Sequence, residues 1–174
     1  MGEGTAETTG AEKMRRPYRI IHEPILVEWL RMNYPPGTWR TNVRVGPVAE
    51  EIKRITEEVG LPGVARLTAG SIDAVVELPD KTVLVEAMVR VDTGKISKLK
   101  TYRQLYLTDP QFEHRRGLPV ELVLLAVIDV PLMAYQCEAE GVRYVHYCPD
   151  WAKPMLEALP KRIAQGHLGG VSVG

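Results

Sequence analysis

Ser71-Ile-Asp-Ala-Val-Val-Glu-Leu-Pro-Asp-Lys-Thr-Val-Leu-Val-Glu-Ala-Met-Val-Arg-Val91 carries the pattern that decides the fold. β-Branched runs flank Leu78-Pro79-Asp80-Lys81, so the stretch reads as two strands joined by a tight turn. In the second run Val83, Val85, Ala87, Val89 and Val91 fall on one face, and Thr82, Leu84, Glu86, Met88 and Arg90 on the other. Centring the turn between Pro79 and Asp80 pairs Leu78 with Lys81 and Glu77 with Thr82, and sets Asp73 opposite Glu86. Directly opposed side chains share a face with Cβ atoms roughly 5 Å apart, and two carboxylates so placed repel unless a cation or a shared proton relieves them. Glu86 also lies between Leu84 and Met88, an odd setting for a merely solvated charge. The pair outlines a divalent-metal site. A slip of one residue would put the two carboxylates on opposite faces.

Around this hairpin, 174 residues suffice for one domain with a sizeable core. The apolar and charged fractions are those of a globular protein, which argues against extended disorder. The longest apolar run, 120–133, contains Glu121 and Asp129 and is too short to span a bilayer. No signal peptide is visible at the polar N-terminus, so the expected location is the cytoplasm, or the virion if the source is a phage. A formal net charge of zero excludes a strongly basic nucleic-acid coat but allows a local basic patch. Cys137 and Cys148 stand outside any paired metal-ligand motif and are expected to be inert thiols. His22, His114, His146 and His167 are scattered and read as ordinary surface or core histidines.

Residues 1–14 are small and polar, an arm that is either disordered or docked in a larger assembly or oligomer. A single domain follows over 15–165, with a Gly-rich tail at 166–174. After basic residues at 15–19, 23–34 reads as an amphipathic helix that buries Ile25, Leu26, Trp29 and Leu30 and stops at Pro35-Pro36-Gly37. Residues 38–45 alternate as a strand on which Arg40 and Arg44, an even number apart, share a face. That face is either solvated or a phosphate-facing edge. A helix over 47–59 presents mostly solvated acids, of which Glu51 is retained as an extra metal candidate. Asp92-Thr93-Gly94 caps a helix over 95–107 that buries Ile96, Leu99, Tyr102, Tyr106 and Leu107, with Lys100 and Gln104 on one flank and Lys98 on the other. The almost continuously apolar 120–128 reads as a strand buried on both faces. A helix over 131–140, a strand over 143–147 and a helix over 151–163, interrupted at Pro154 and Pro160, complete the chain. Strands sandwiched by helices with one hairpin give a mixed central sheet in a three-layer α/β/α domain.

This order, with Asp73 and Glu86 on the hairpin and Gln104 on the next helix, resembles the PD-(D/E)xK, restriction-endonuclease-like nuclease superfamily. The resemblance covers roughly 47–149. It implies that Asp73 and Glu86 hold Mg²⁺, that Gln104 supports the site with Tyr102 nearby, and that DNA is the partner. In the family a lysine two residues after the Glu assists the attacking water; here Met88 occupies that place and cannot do so. Lys100 on the following helix is the best-placed substitute, and Arg90 a second cation, though an arginine stays protonated. Arg40, Arg44 and Arg90 are the candidate nucleic-acid contacts.

Three functions follow. The first is a nuclease-fold protein with a degenerate site, acting as a DNA-proximal or structural component such as a phage head-completion or neck protein. The second is an active Mg²⁺-dependent endonuclease or resolvase with a relocated lysine, its ions polarising the phosphate and activating water. The third is a small-ligand-binding α/β domain in which Asp73 and Glu86 are only hydrogen-bonded.

Overall fold

The computed structural model describes residues 10–58, 60, 69–90 and 92–159, with the backbone alone described at 10–20, 51, 52 and 56. Its elements are α1 (Gly10–Asn33), β1 (Trp39–Val45), α2 (Glu50–Glu58), β2 (Gly70–Glu77), β3 (Thr82–Met88), α3 (Gly94–Thr108), β4 (Val120–Ala126), α4 (Pro131–Ala139), β5 (Arg143–His146) and α5 (Lys153–Glu157). Helix α1 starts at Gly10, upstream of both the expected helix start and the expected arm boundary at 14. The Glu51 side chain and the glycine-rich tail lie outside the described residues.

The strands form one sheet in the order β1-β2-β3-β4-β5. β1, β2 and β3 are antiparallel neighbours, whereas β4 and β5 add in parallel, so the sheet is mixed as expected. Helices on both faces bury alternate strand residues. On one face Ile25, Leu26, Trp29 and Leu30 of α1 pack with Val83, Val85, Ala87, Val123 and Leu125. On the other, Ile96, Leu99 and Tyr106 of α3 and Met133 of α4 pack with Leu84, Met88, Leu122 and Leu124. Both β3 and the second half of β4 are therefore buried on both faces, the pattern of central strands flanked by helices, with Thr82 and Glu86 the buried polar residues of β3.

The hairpin closes as its turn residues require, with the Leu78 N–H donating to the Lys81 carbonyl at 2.9 Å. Arg115 clamps this turn by donating to the carbonyls of Leu78 and Lys81 and to the Thr82 hydroxyl. At the other end of β3, Asp92 Oδ1 accepts from the Gly94 N–H at 2.9 Å in an Asx turn that leads into α3, whose N-cap residue Thr93 makes no side-chain cap bond. Among the described residues no helix is long and apolar enough to cross a membrane.

Candidate active site

The β2–β3 register runs from Glu77↔Thr82 to Ala74↔Val85, and there the ladder stops. One step on, Asp73 and Glu86 use side chains where backbone carbonyls would otherwise accept. The Asp73 N–H donates to Glu86 Oε1 at 3.2 Å, and the Ala87 N–H donates to Asp73 Oδ2 at 2.9 Å. Asp73 thus sits in the fork between the strands, within reach of both helical layers. Glu86 points to the α3 side, between Leu84 and Met88, and is fully buried.

A carboxylate taken out of water needs cations, and α3 supplies two. Lys95 Nζ lies 2.7 Å from Glu86 Oε2 and 3.7 Å from Asp73 Oδ2, so one ammonium touches both acids. Lys98 Nζ adds a 3.0 Å contact to Glu86 Oε2 and lies 5.1 Å from the centre of the Tyr102 ring. From the opposite layer, His22 Nε2 on α1 hydrogen-bonds Asp73 Oδ2 at 3.1 Å. Lys95 stands in the first turn of α3, where the helix dipole disfavours positive charge, and Lys98 just beyond it; the carboxylates offset that cost.

The acids respond oppositely. Burial pushes the Asp73 carboxyl up, but the His22 hydrogen bond, the charges of Lys95 and His22 and the Ala87 N–H together hold it down at about 2. For Glu86, burial and the Asp73 charge push upward and outweigh Lys95 and Lys98. Burial pushes the Lys98 ammonium down, yet the Glu86 carboxylate keeps it raised.

Several expected site residues lie elsewhere. Lys100, the expected substitute lysine, projects from the far flank of α3 and pairs with Glu140, the C-cap residue of α4. Gln104 is exposed on α3 and is not among the groups that meet the carboxylates. Met88, the residue in the motif-lysine position, is buried in the α3-side core and accepts from the Asp92 N–H at 3.4 Å through its sulfur. Arg90 is exposed just beyond the end of β3. Arg40 and Arg44 do not share a face. Asn42 between them has φ of 53°, which breaks the strand's alternation. Trp39 consequently packs on the α1 side, while Val43 and Val45 pack on the α3 side. Arg40 lies on the α3 side, 5.9 Å from the Phe112 ring centre, and donates to Glu77; Arg44 donates to the Ala69 carbonyl.

Lys95, Lys98 and His22 were not singled out by sequence. Lys95, Lys98 and Tyr102 follow the i, i+3, i+7 spacing of one helix ridge, which is a usable signal. Nothing local marks His22, 51 residues from Asp73.

The donors suit a hard cation. Two carboxylates meeting one ammonium supply oxygen ligands of the number that magnesium usually takes from protein, water and phosphate completing its shell. Among the described residues no group of three or more His, Cys, Asp or Glu side chains is placed to hold a metal ion, so a cation here would have two protein carboxylates at most.

Three solved structures resemble the chain. They are an EndoMS–dsDNA complex (TM-score 0.42, 16% identity, 74% of this chain and 45% of that one), a repair endonuclease from Pyrococcus abyssi (0.38, 16%, 84% and 50%) and protein VC1899 from Vibrio cholerae (0.46, 14%, 87% and 35%). The chain spans half or less of the length of each. No protein-family model matches it, and no curated protein matches by sequence.

Proposed function

We propose that the fork between β2 and β3 is a metal-dependent phosphodiesterase site acting on DNA, with Lys95 in the role of the displaced motif lysine. The observation that carries this reading is the single ammonium shared by Asp73 and Glu86, a cation held against two acids at the place where the resemblance puts the chemistry. Asp73 and Glu86 would hold Mg²⁺, which supplies Lewis-acid polarisation of a phosphoryl oxygen and a more acidic water. Lys95 would stabilise the negative charge on the phosphoryl oxygens as water adds to phosphorus, losing its proton to solvent, and the P–O bond to the leaving strand breaks, the leaving oxygen taking a proton from solvent. Lys98 orients the phosphate, and His22 fixes the Asp73 carboxylate through Oδ2. The choice of DNA rests on the family resemblance, and RNA of the same sequence is the control.

A second reading is favoured by the burial of Glu86. Both its oxygens are already engaged, Oε1 by the Asp73 N–H and Oε2 by two ammonium groups, so the site is charge-compensated by the chain itself. In that case the domain is a degenerate nuclease fold kept for DNA-proximal or structural duty, a phage head-completion or neck protein being one such setting.

The two separate in one experiment. Plasmid and branched DNA are incubated with Mg²⁺ or Mn²⁺ and wild type, Glu86→Ala or Lys95→Met, with thermal stability followed at each metal concentration. Metal-dependent cutting that both variants lose supports the first reading. A folded wild type that neither cuts nor gains stability from metal overturns it in favour of the second.

A further inference from the structure

Asn42 is the only non-glycine residue with positive φ among the described residues, and it stands in the middle of a strand. Its neighbours keep one register with β2, Thr41↔Ala74 before it and Val43↔Ile72 after it, so Asn42 falls opposite Asp73 without bridging it. The left-handed residue is thus placed where the sheet opens around the acid, and outliers of this kind cluster at binding and catalytic sites. Beside it a 380 Å³ cleft is lined by His22, Glu23, Leu26, Thr41, Asn42 and Asp73. The hydrogen bonds of the Asp73 carboxylate with described residues, and its ion pair with Lys95, go to Oδ2. The exposed Asn42 amide has no hydrogen-bond partner among the described residues.

We infer that this cleft binds the base and sugar of the nucleotide flanking the cleaved phosphodiester, and that the Asn42 amide hydrogen-bonds it. The inference rests on the phosphodiesterase reading of the adjoining carboxylates. The lining away from the proposed metal ligand selects the moiety: Glu23 repels a phosphate but accepts from base amino and sugar hydroxyl groups, and Leu26 offers an apolar wall. An amide that both donates and accepts matches a base edge. Asparagine also reconciles the two demands at position 42, since it tolerates φ above zero better than other side chains do and still carries polar atoms.

The test is Asn42→Gly, which keeps the backbone conformation and removes only the amide. Wild type and variant are compared for affinity to a fluorescent DNA duplex with a single-stranded branch in Ca²⁺, for KM and kcat of its cleavage in Mn²⁺, and for Tm. The expected result is an unchanged Tm with Kd and KM raised about threefold to tenfold, the worth of one or two hydrogen bonds. Unchanged Kd and KM beside an active wild type overturns this inference alone. So does a fall in Tm and kcat with Kd unchanged, which would make Asn42 a backbone device. A wild type that neither binds nor cuts overturns the phosphodiesterase reading and this inference with it.

Discussion

Replacing Lys95 by Met removes the shared ammonium while keeping the length and apolar stem of the side chain. At an effective dielectric of about 20, Coulomb's law gives roughly 6 kcal/mol of attraction for the 2.7 Å contact to Glu86 and roughly 4 kcal/mol for the 3.7 Å contact to Asp73. Desolvation takes back most of that, and Lys98 still lies 3.0 Å from Glu86. The expected net loss is about 3 kcal/mol, at the low end of what breaking a buried ion pair costs. In a domain of this size that lowers Tm by about 6–12 °C. Removing the acid first changes the outcome: in a Glu86→Gln background, Lys95→Met should cost under about 1 kcal/mol, because only the longer contact to Asp73 is lost. Urea unfolding of the wild type, both single variants and the double variant measures the coupling, expected at about 2 kcal/mol. Additivity within about 0.5 kcal/mol would refute the shared ion pair, and the mechanism that depends on it.

The acid limb of the stability curve should carry the signature of Asp73. Its carboxyl is depressed from 3.8 to about 2, so its contribution is present above pH 4 and is lost as pH falls through 2. Nearly two units correspond to about 2 kcal/mol, and Asp73→Asn should lack that fall when chemical unfolding is followed from pH 5 to pH 2. Lys100→Ala should leave DNA cleavage unchanged and alter stability by less than about 1 kcal/mol, since Lys100 makes an exposed pair with Glu140. Gly70→Ala should cost about 1–3 kcal/mol in urea unfolding. A Cβ there would lie 2.9 Å from the Tyr102 ring, which has to move and take Lys98 with it, so the cleavage rate should fall as well.

The hairpin, its turn, the doubly buried β4 and the order of elements were legible because each rests on local periodicity and turn chemistry. Even the opposition of Asp73 and Glu86 followed from counting outward from Pro79-Asp80. The face shared by Arg40 and Arg44 failed for the same kind of reason that the rest succeeded: alternation assumes an unbroken strand, and the left-handed backbone at Asn42 breaks it. Which lysine meets the acids was hidden for a different reason. α3 has two polar flanks, and its own sequence does not say which one lies over β3. The flank with Lys100 meets α4 through Glu140, and the flank with Lys98 meets Glu86. His22 was invisible because its role comes from the packing of α1 on the sheet, a contact across 51 residues.

Met88 then has a physical account. Its side chain lies in the core between sheet and α3, and its sulfur receives the Asp92 N–H that precedes the helix. A lysine at this position would have to turn its charge out of that core and give up the contact. Methionine fills the space instead, without charge to bury. The Lys95 ammonium that meets the acids lies on the helix above, and at a cost, because a cation in a first helical turn opposes the dipole by about 0.3–1 kcal/mol. Asp73 and Glu86 offset this, so the same ion pairs that compensate the buried acids also pin the start of α3 over β3. The acids of the candidate site are thereby also part of the docking of α3. Loss of activity in Glu86→Ala therefore means loss of chemistry only if the far end of α3, where Tyr106 hydrogen-bonds Thr82 at 3.1 Å, still holds the helix in place.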